Sequence, residues 1–323
     1  MTKSSMQEAA EVFREGKSFL VMSHVGPDGD AFGSMCAFRL AAEGMGKTVT
    51  MLAPDGITDV YKFLPGSHLF ISEIPKDRRF DVGVILDCDG PERLGPVREA
   101  LSLCDKTIEF DHHPGTERVS DVQVIDPAAA STGEILYQFL LEAGVKLNRE
   151  IAECLLTAIV TDTGCFRFSN VKASTLRAAA GLLEQGVAIS EIVQKIYETR
   201  SLGAAKILGA ALASLTTAFD GQVAYAYITR EQMQAAGAEE GETEGIVNYV
   251  LSVRGARIGL FLRDGEEGTT RVSFRSTDGT DISQVARLLG GGGHKTASGA
   301  TLNSPLNESI DLVLSAIQKW MAS

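Results

Sequence analysis

The sequence has no CxxC pair, and its five cysteines, Cys36, Cys88, Cys104, Cys154 and Cys165, are an odd number without paired spacing. A complete disulfide framework is excluded and a zinc knuckle is not suggested, so reduced thiols in a cytoplasmic setting are expected. No apolar run approaches the roughly 18 residues of a membrane span, and the first residues mix acidic, polar and apolar types where a leader would have a basic region and an apolar core. Neither export nor membrane insertion is expected. Positive charge is in deficit: 30 Lys and Arg stand against 42 Asp and Glu, a net charge of −12. Such a chain repels long nucleic acids unless basic residues gather locally, which argues against a protein that coats duplex DNA. What is present, 44% hydrophobic and 22% charged residues over 323 positions, suits soluble globular protein longer than one core usually organises. Two domains are expected.

Ser5 and Glu8 have the spacing of a helix capping box, and the helix they open ends near Gly16, just before an apolar run at 19–22. Further short apolar runs at 48–52, 82–86 and 107–110 are separated by helical sequence such as 31–43. Strands of this kind are buried on both faces, as in parallel sheets covered by crossover helices. The expected fold is α/β: a doubly wound parallel-sheet N-terminal domain with a smaller α/β C-terminal domain. Mostly helical sequence over 134–183, clearest at 150–160 and 173–183, completes the first. The second has candidate strands at 223–228, 257–262 and 271–274 and helices near 242–252, 282–289 and 306–321. Expected boundaries are 1–188, an Ala-rich helical connector at 189–218, and 219–323.

In doubly wound sheets ligands bind beyond the carboxyl ends of the strands. Three polar clusters sit there: His24-Val25-Gly26-Pro27-Asp28-Gly29-Asp30, Asp87-Cys88-Asp89 and Asp111-His112-His113-Pro114, and Asp162 adds a carboxylate at the end of an apolar helix. Alone, Asp28-Gly29-Asp30 reads as a turn and Asp162 as a polar helix end. Together they read as a metal site. Hard ions favour oxygen ligands, whereas Mn2+ also accepts imidazole, so Asp with His suits Mn2+, with Mg2+ or Co2+ able to substitute. Two ions roughly 3.5–4 Å apart, bridged by a carboxylate and a water, can generate hydroxide and neutralise a phosphoryl transition state. The chemistry expected is phosphoester hydrolysis.

The His24 to Asp30 loop, Asp87, the Asp111-His112-His113 triplet and Asp162, in this order, resemble the DHH phosphoesterase family, named for that triplet. Gly290 to Gly293 followed by His294, Ala297 and Gly299, with Ser273-Phe274-Arg275-Ser276 upstream, is similar to the glycine-rich signature of the DHH-associated C-terminal domain, although Ser298 stands where Ala is commoner. The motifs span nearly the whole chain and look most like the bacterial branch that degrades short RNA and dephosphorylates 3′-phosphoadenosine 5′-phosphate. The resemblance implies two divalent ions, one held by His24, Asp28 and Asp87, the other by Asp30, Asp87, His112 and Asp162. Asp87 would bridge them. His113 would contact the scissile phosphate and help protonate the leaving oxygen, with Asp111 acting behind the ligands. In the C-terminal domain, glycines let a backbone approach a phosphate and form an anion nest, so Gly291, Gly292, Gly293, His294 and Arg275 are expected to bind substrate. Arg254 is a further candidate. Arg167, Ser169 and Asn170 resemble a family stretch near the substrate, yet Phe166 and Phe168 alternate with them as in a half-buried strand.

A short single-stranded RNA or a nucleotide is therefore the expected partner, bound between the domains, with no membrane; a homodimer is compatible with the sequence. Two alternatives stand beside exonucleolytic cleavage. One is a phosphodiesterase of linear or cyclic signalling dinucleotides, which needs the same chemistry in a differently shaped cleft. The other is a catalytically silent nucleotide- or RNA-binding module, which has no need of an intact ligand set.

Overall fold

Apolar runs without polar interruption must be covered on both sides, and the structure, a computed structural model that describes residues 5–115, 117–199, 201–265, 268–277 and 279–322, covers them with helices. It divides into two compact units, Met1–Thr199 and Arg200–Ser323. In the first, α1 (Ser5–Glu15), β1 (Ser18–Met22), α2 (Gly29–Gly44), β2 (Thr48–Leu52), β3 (Phe70–Ile71), β4 (Phe80–Leu86), β5 (Cys104–Asp111) and β6 (Val122–Ile125) precede α3 (Thr132–Glu142), α4 (Arg149–Asp162) and α5 (Ala173–Leu183). All five strand pairings are parallel, in the order β3-β2-β1-β4-β5-β6. The direction of winding reverses between β1 and β4, the position where doubly wound sheets open a crevice beyond their strand ends.

Alternation within β1 separates two cores. Phe19 and Val21 join the large core formed with α1 to α5, whereas Leu20 and Met22 join a thinner one with Leu94, Val97 and Ala100. Phe13, Phe38, Phe110 and Phe139 anchor the larger core, with ring centroids 4.5 Å apart for Phe110 and Phe139. Helix α2 lies directly on α4: a Cβ placed on Gly33 would sit 2.6 Å from the Cys154 carbonyl oxygen and 3.0 Å from the Ala158 nitrogen.

The second unit contains α7 (Leu202–Ala213), which follows α6 (Ile189–Val193) of the first, then β7 (Thr216–Ala218), β8 (Val223–Ile228), α8 (Arg230–Ala236), α9 (Ile246–Leu251), β9 (Ile258–Asp264), β10 (Thr270–Ser276), α10 (Ser283–Leu288), β11 (Gly292–His294), β12 (Ala297–Leu302) and α11 (Leu306–Met321). Its sheet, β11-β12-β10-β9-β8-β7, is antiparallel except for the parallel pair β8 and β9. Helices α7 to α9 cover one face and α10 and α11 the other.

The α/β architecture follows the expectation, and the differences are local. The 189–218 segment is not one connector: Ile192 is buried in the first unit's core, Ile207 and Ala211 in the second's, and Thr216–Ala218 is a strand. The expected helix at 242–252 begins only at Ile246, because Glu240–Thr243 forms a separate 3-10 turn and Gly245 takes a left-handed backbone. Among the described residues, no helix is long and apolar enough to cross a membrane.

Replacing Gly33 by Ala should force α2 off α4 and cost about 1–3 kcal/mol by overpacking. Thermal unfolding measures it; an unchanged melting temperature would show that the interface yields without penalty.

Candidate metal centre

The polar clusters after β1, β4 and β5 and the end of α4 meet at the carboxyl edge of the first sheet. Asp28 is the N-cap of α2, its Oδ1 accepting from the Asp30 and Ala31 amides at 3.0 and 3.2 Å. Asp30 stands in the first turn of α2 and accepts from the Thr132 and Gly133 amides at 2.7 and 2.9 Å, so it also caps the N-terminus of α3. Its buried charge thus faces the positive ends of two helices. Asp87 leaves β4 with φ of 56°, a left-handed conformation uncommon for a side-chain-bearing residue, and its amide donates to the Phe110 carbonyl at 3.0 Å. Thr132 Oγ1 donates to Asp87 Oδ1 at 3.2 Å.

Three imidazoles surround this carboxylate. His24 Nε2 lies 3.7 Å from Asp87 Oδ2, and His112 Nε2 and His113 Nδ1 lie 3.5 and 3.7 Å from Oδ1. His112 Nε2 is also 3.4 Å from Asp162 Oδ2 and 3.8 Å from Asp30 Oδ2. These gaps are long for hydrogen bonds but short enough for the atoms to share a cation. In His24, Asp28 and Asp87, and likewise in Asp30, His112 and Asp162, potential ligand atoms lie within 4.8 Å of one another. All six residues expected as ligands are brought together, and their mixed carboxylate and imidazole set fits divalent ions.

Charge is distributed unevenly. Desolvation and the neighbouring Asp87 push the carboxyls of Asp30 and Asp162 well above the usual range. For Asp87 burial acts the same way but loses to His24, His112 and His113, which hold it down to about 2. Burial lowers His112, whereas for His113 burial is outweighed by Asp111 and Asp87, which raise it to about 9.

Asp111 lies behind the cluster, its Oδ1 2.7 Å from His113 Nδ1 and its Oδ2 accepting from Arg118 Nη1 at 2.6 Å. Arg118 also donates to Glu109 at 2.6 Å and to the carbonyls of Cys88 and His113 at 2.9 Å, while Ser120 satisfies the other Glu109 oxygen. Neither Glu109 nor Arg118 was among the residues singled out from sequence. Glu109 carries a signal, a charge between the apolar Ile108 and Phe110 that needs a buried partner. Arg118, on an irregular loop, carried none. Arg93 is a third residue missed from sequence, again without a sequence signal: its Nη2 lies 3.1 Å from His24 Nδ1.

The remaining candidates fall elsewhere. Residues 163–170 are successive turns and not a half-buried strand, with left-handed backbone at Gly164, Cys165 and Phe166. Arg167 is exposed there, and Asn170 ties the segment to the carbonyls of Asp162 and Ala130 at 3.0 and 3.1 Å. In the second unit Arg275 lies on β10 opposite Ala297, and Arg254 is exposed in the turn after α9. Gly292 and Gly293 belong to β11, paired with Gly299 and Ser298. A Cβ on Gly291 would run into the Gly299 carbonyl, and one on Gly293 would lie 2.6 Å from that of Ala297, so close passage along β12 itself demands glycine. The His294 backbone closes β11; its side chain lies outside the described residues.

Residues 18–159 match the DHH family N-terminal domain and residues 220–323 the DHHA1 domain. The bifunctional oligoribonuclease and PAP phosphatase NrnA of Thermus thermophilus is 33% identical over 318 residues, 97% of this chain and 94% of the relative. Its Bacillus subtilis namesake is 30% identical over 294 residues, 89% and 90%. A crystal structure of an exopolyphosphatase-related protein from Bacteroides fragilis matches with a TM-score of 0.92 and 25% identity over 99% of this chain and 98% of that one. RecJ from Thermus thermophilus in complex with Mn2+ shares the fold at a TM-score of 0.60 and 12% identity, over 100% of this chain and 55% of that one.

Two outcomes follow from the charges. Arg118→Met should leave Glu109 and Asp111 buried without their cation and cost about 3–5 kcal/mol in denaturant unfolding, part of it recovered by adding Glu109→Gln. Because Asp30 and Asp162 hold protons above the usual carboxyl range, an incoming cation must displace them. Calorimetric Mn2+ affinity should therefore fall as pH is lowered from about 7.5 to about 5.5, with proton release on binding; equal affinity at both would contradict it.

Proposed function

The chain belongs to the DHH phosphoesterase family, and on that footing we propose that it is a metal-dependent hydrolase of short oligoribonucleotides and of 3′-phosphoadenosine 5′-phosphate. The observation that carries this reading is the place of Asp87. One oxygen faces His24 at 3.7 Å and the other faces His112 at 3.5 Å, so a single carboxylate adjoins both ligand sets. We assign Asp87 as the residue that would serve both of two divalent ions, one that His24 and Asp28 would also hold and one that Asp30, His112 and Asp162 would also hold. Mn2+ suits this donor mixture best, with Mg2+ or Co2+ as substitutes. Held there, such ions would supply charge neutralisation for the phosphoryl group and lower the pKa of a water.

The chain's own side chains do the rest. His113, held at Nδ1 by Asp111 at 2.7 Å and raised to about 9, is protonated at neutral pH and turns its other nitrogen to the phosphate and the leaving oxygen, to which it delivers a proton. Arg118 fixes Asp111 from behind. In the second unit Arg275, Gly291, Gly292, Gly293, His294 and Arg254 are assigned to substrate binding through charge and backbone amides, and Arg167 in the first unit is a separate candidate. A substrate with few phosphates suits a chain of net charge −12, which repels longer polyanions. A cytoplasmic setting is consistent with five free cysteines, of which burial pushes Cys88 up to about 12 and Cys104 to about 11.

With Mn2+, the purified protein should consume di- to pentaribonucleotides and 3′-phosphoadenosine 5′-phosphate. Asp87→Ala and chelation should each reduce turnover to background. Intact dinucleotide and intact bisphosphate after incubation would overturn the proposal. Activity that depends on protonated His113 should persist through neutrality and fall as pH rises past about 9, and Asp111→Asn, by removing the raising interaction, should move that fall to lower pH.

A further inference from the structure

Arg93 brings a positive charge to the rim of the Asp87 cluster, and its position is built in. The loop after β4 is laced to the loop after β1: the Val25 amide donates to the Arg93 carbonyl at 2.8 Å, and Gly95 lies so near the Val25 side chain that a Cβ there would collide with it. Arg93 is exposed and, among the described residues, forms no ion pair. Its guanidinium is held instead against a ring nitrogen, with Nη2 3.1 Å from His24 Nδ1.

That nitrogen is asked to do two incompatible things. The Val25 carbonyl, 2.9 Å away, can only accept, and a guanidinium can only donate. His24 turns Nε2 toward Asp87 Oδ2 at 3.7 Å, so a cation held there takes the Nε2 lone pair and leaves the ring hydrogen on Nδ1. Nδ1 then donates to Val25 and Arg93 loses its acceptor. Of the neighbouring carboxylates, Asp28 takes the α2 amides through Oδ1 and Asp30 those of α3, Asp87 faces His24, and none among the described residues pairs with Arg93. A planar fork of donors beside a cation site, with no carboxylate of its own, is matched to phosphate oxygens.

We propose that Arg93 is a substrate-binding residue whose guanidinium takes a non-bridging oxygen of the phosphate seated at the Asp87 cluster. This rests on the reading of the cluster as a phosphoester site. Arg93 thereby adds a fixed positive charge from the first unit, independent of Arg275 and the glycine strand in the second.

The test is calorimetric binding of Mn2+, and of inorganic phosphate to the Mn2+-loaded full chain, for wild type, Arg93→Gln and Arg93→Lys, beside turnover of 3′-phosphoadenosine 5′-phosphate. Arg93→Gln should bind Mn2+ as wild type does, weaken phosphate binding on the order of 10- to 100-fold and raise KM more than it lowers kcat, with Arg93→Lys in between. Wild type that binds phosphate in an Arg93-dependent way but hydrolyses nothing would sink the assigned activity and leave this inference standing. Unchanged phosphate affinity in Arg93→Gln, or wild type that binds no phosphate, overturns it. So does a parallel loss of Mn2+ affinity, which would make Arg93 a positioning residue for His24.

Discussion

Four carboxylates, Asp28, Asp30, Asp87 and Asp162, converge on one strand edge, and the first unit is arranged so that their mutual repulsion does not push them apart. Two helices begin at the cluster and lend it their amides: α2 starts on Asp28, and α3 starts under Asp30. Asp30 links helices whose contact residues are 102 positions apart in sequence. The glycines where α2 and α3 approach α4 serve the same end. Gly33 lies against the Cys154 carbonyl and Gly133 against Ala158, so both helices settle close enough for Asp162, at the end of α4, to reach His112. Packing and charge are here one arrangement.

Legibility in the sequence followed the strength of each physical signal. Strands β1, β2, β4 and β5 contain the short apolar runs at 19–22, 48–52, 82–86 and 107–110 and stand out, as do the polar clusters that follow β1, β4 and β5. Strand β3 is two residues long and β6 is an edge strand with only alternate residues buried, too little pattern to separate from loop. The glycine stretch carries no strand pattern, yet Gly292–His294 pairs with β12; a strand that needs glycine for close passage cannot also advertise itself by β-branched residues. Arg118 is invisible for another reason. It lies on an irregular loop with no periodicity that ties it to Glu109, Asp111 and His113, and its contact with Cys88 forms only when the ends of β4 and β5 lie side by side.

The Glu109, Asp111 and Arg118 group is also a different kind of charge from the one it supports. Every oxygen of the two carboxylates has a donor, and the group holds His113 through Asp111, although the buried Arg118 Nε has no partner among the described residues. The cluster in front of it is open: its nitrogens and oxygens face one another across 3.4 to 3.8 Å without hydrogen bonds to close the gaps. Carboxylates already supplied with donors behind an open cluster confine the capacity to take a cation to the front of the sheet edge.

The backbone of Asp87 narrows what this family of chains can write at that position. Its φ of 56° falls in the small left-handed region, which glycine enters freely, asparagine and aspartate tolerate, and longer or branched side chains resist. Of those three only aspartate brings an anion. Glutamate would carry the right charge on the wrong backbone, and asparagine would keep the backbone and lose the charge. The residue at Asp87 is therefore set jointly by a turn of the main chain and by the chemistry it faces.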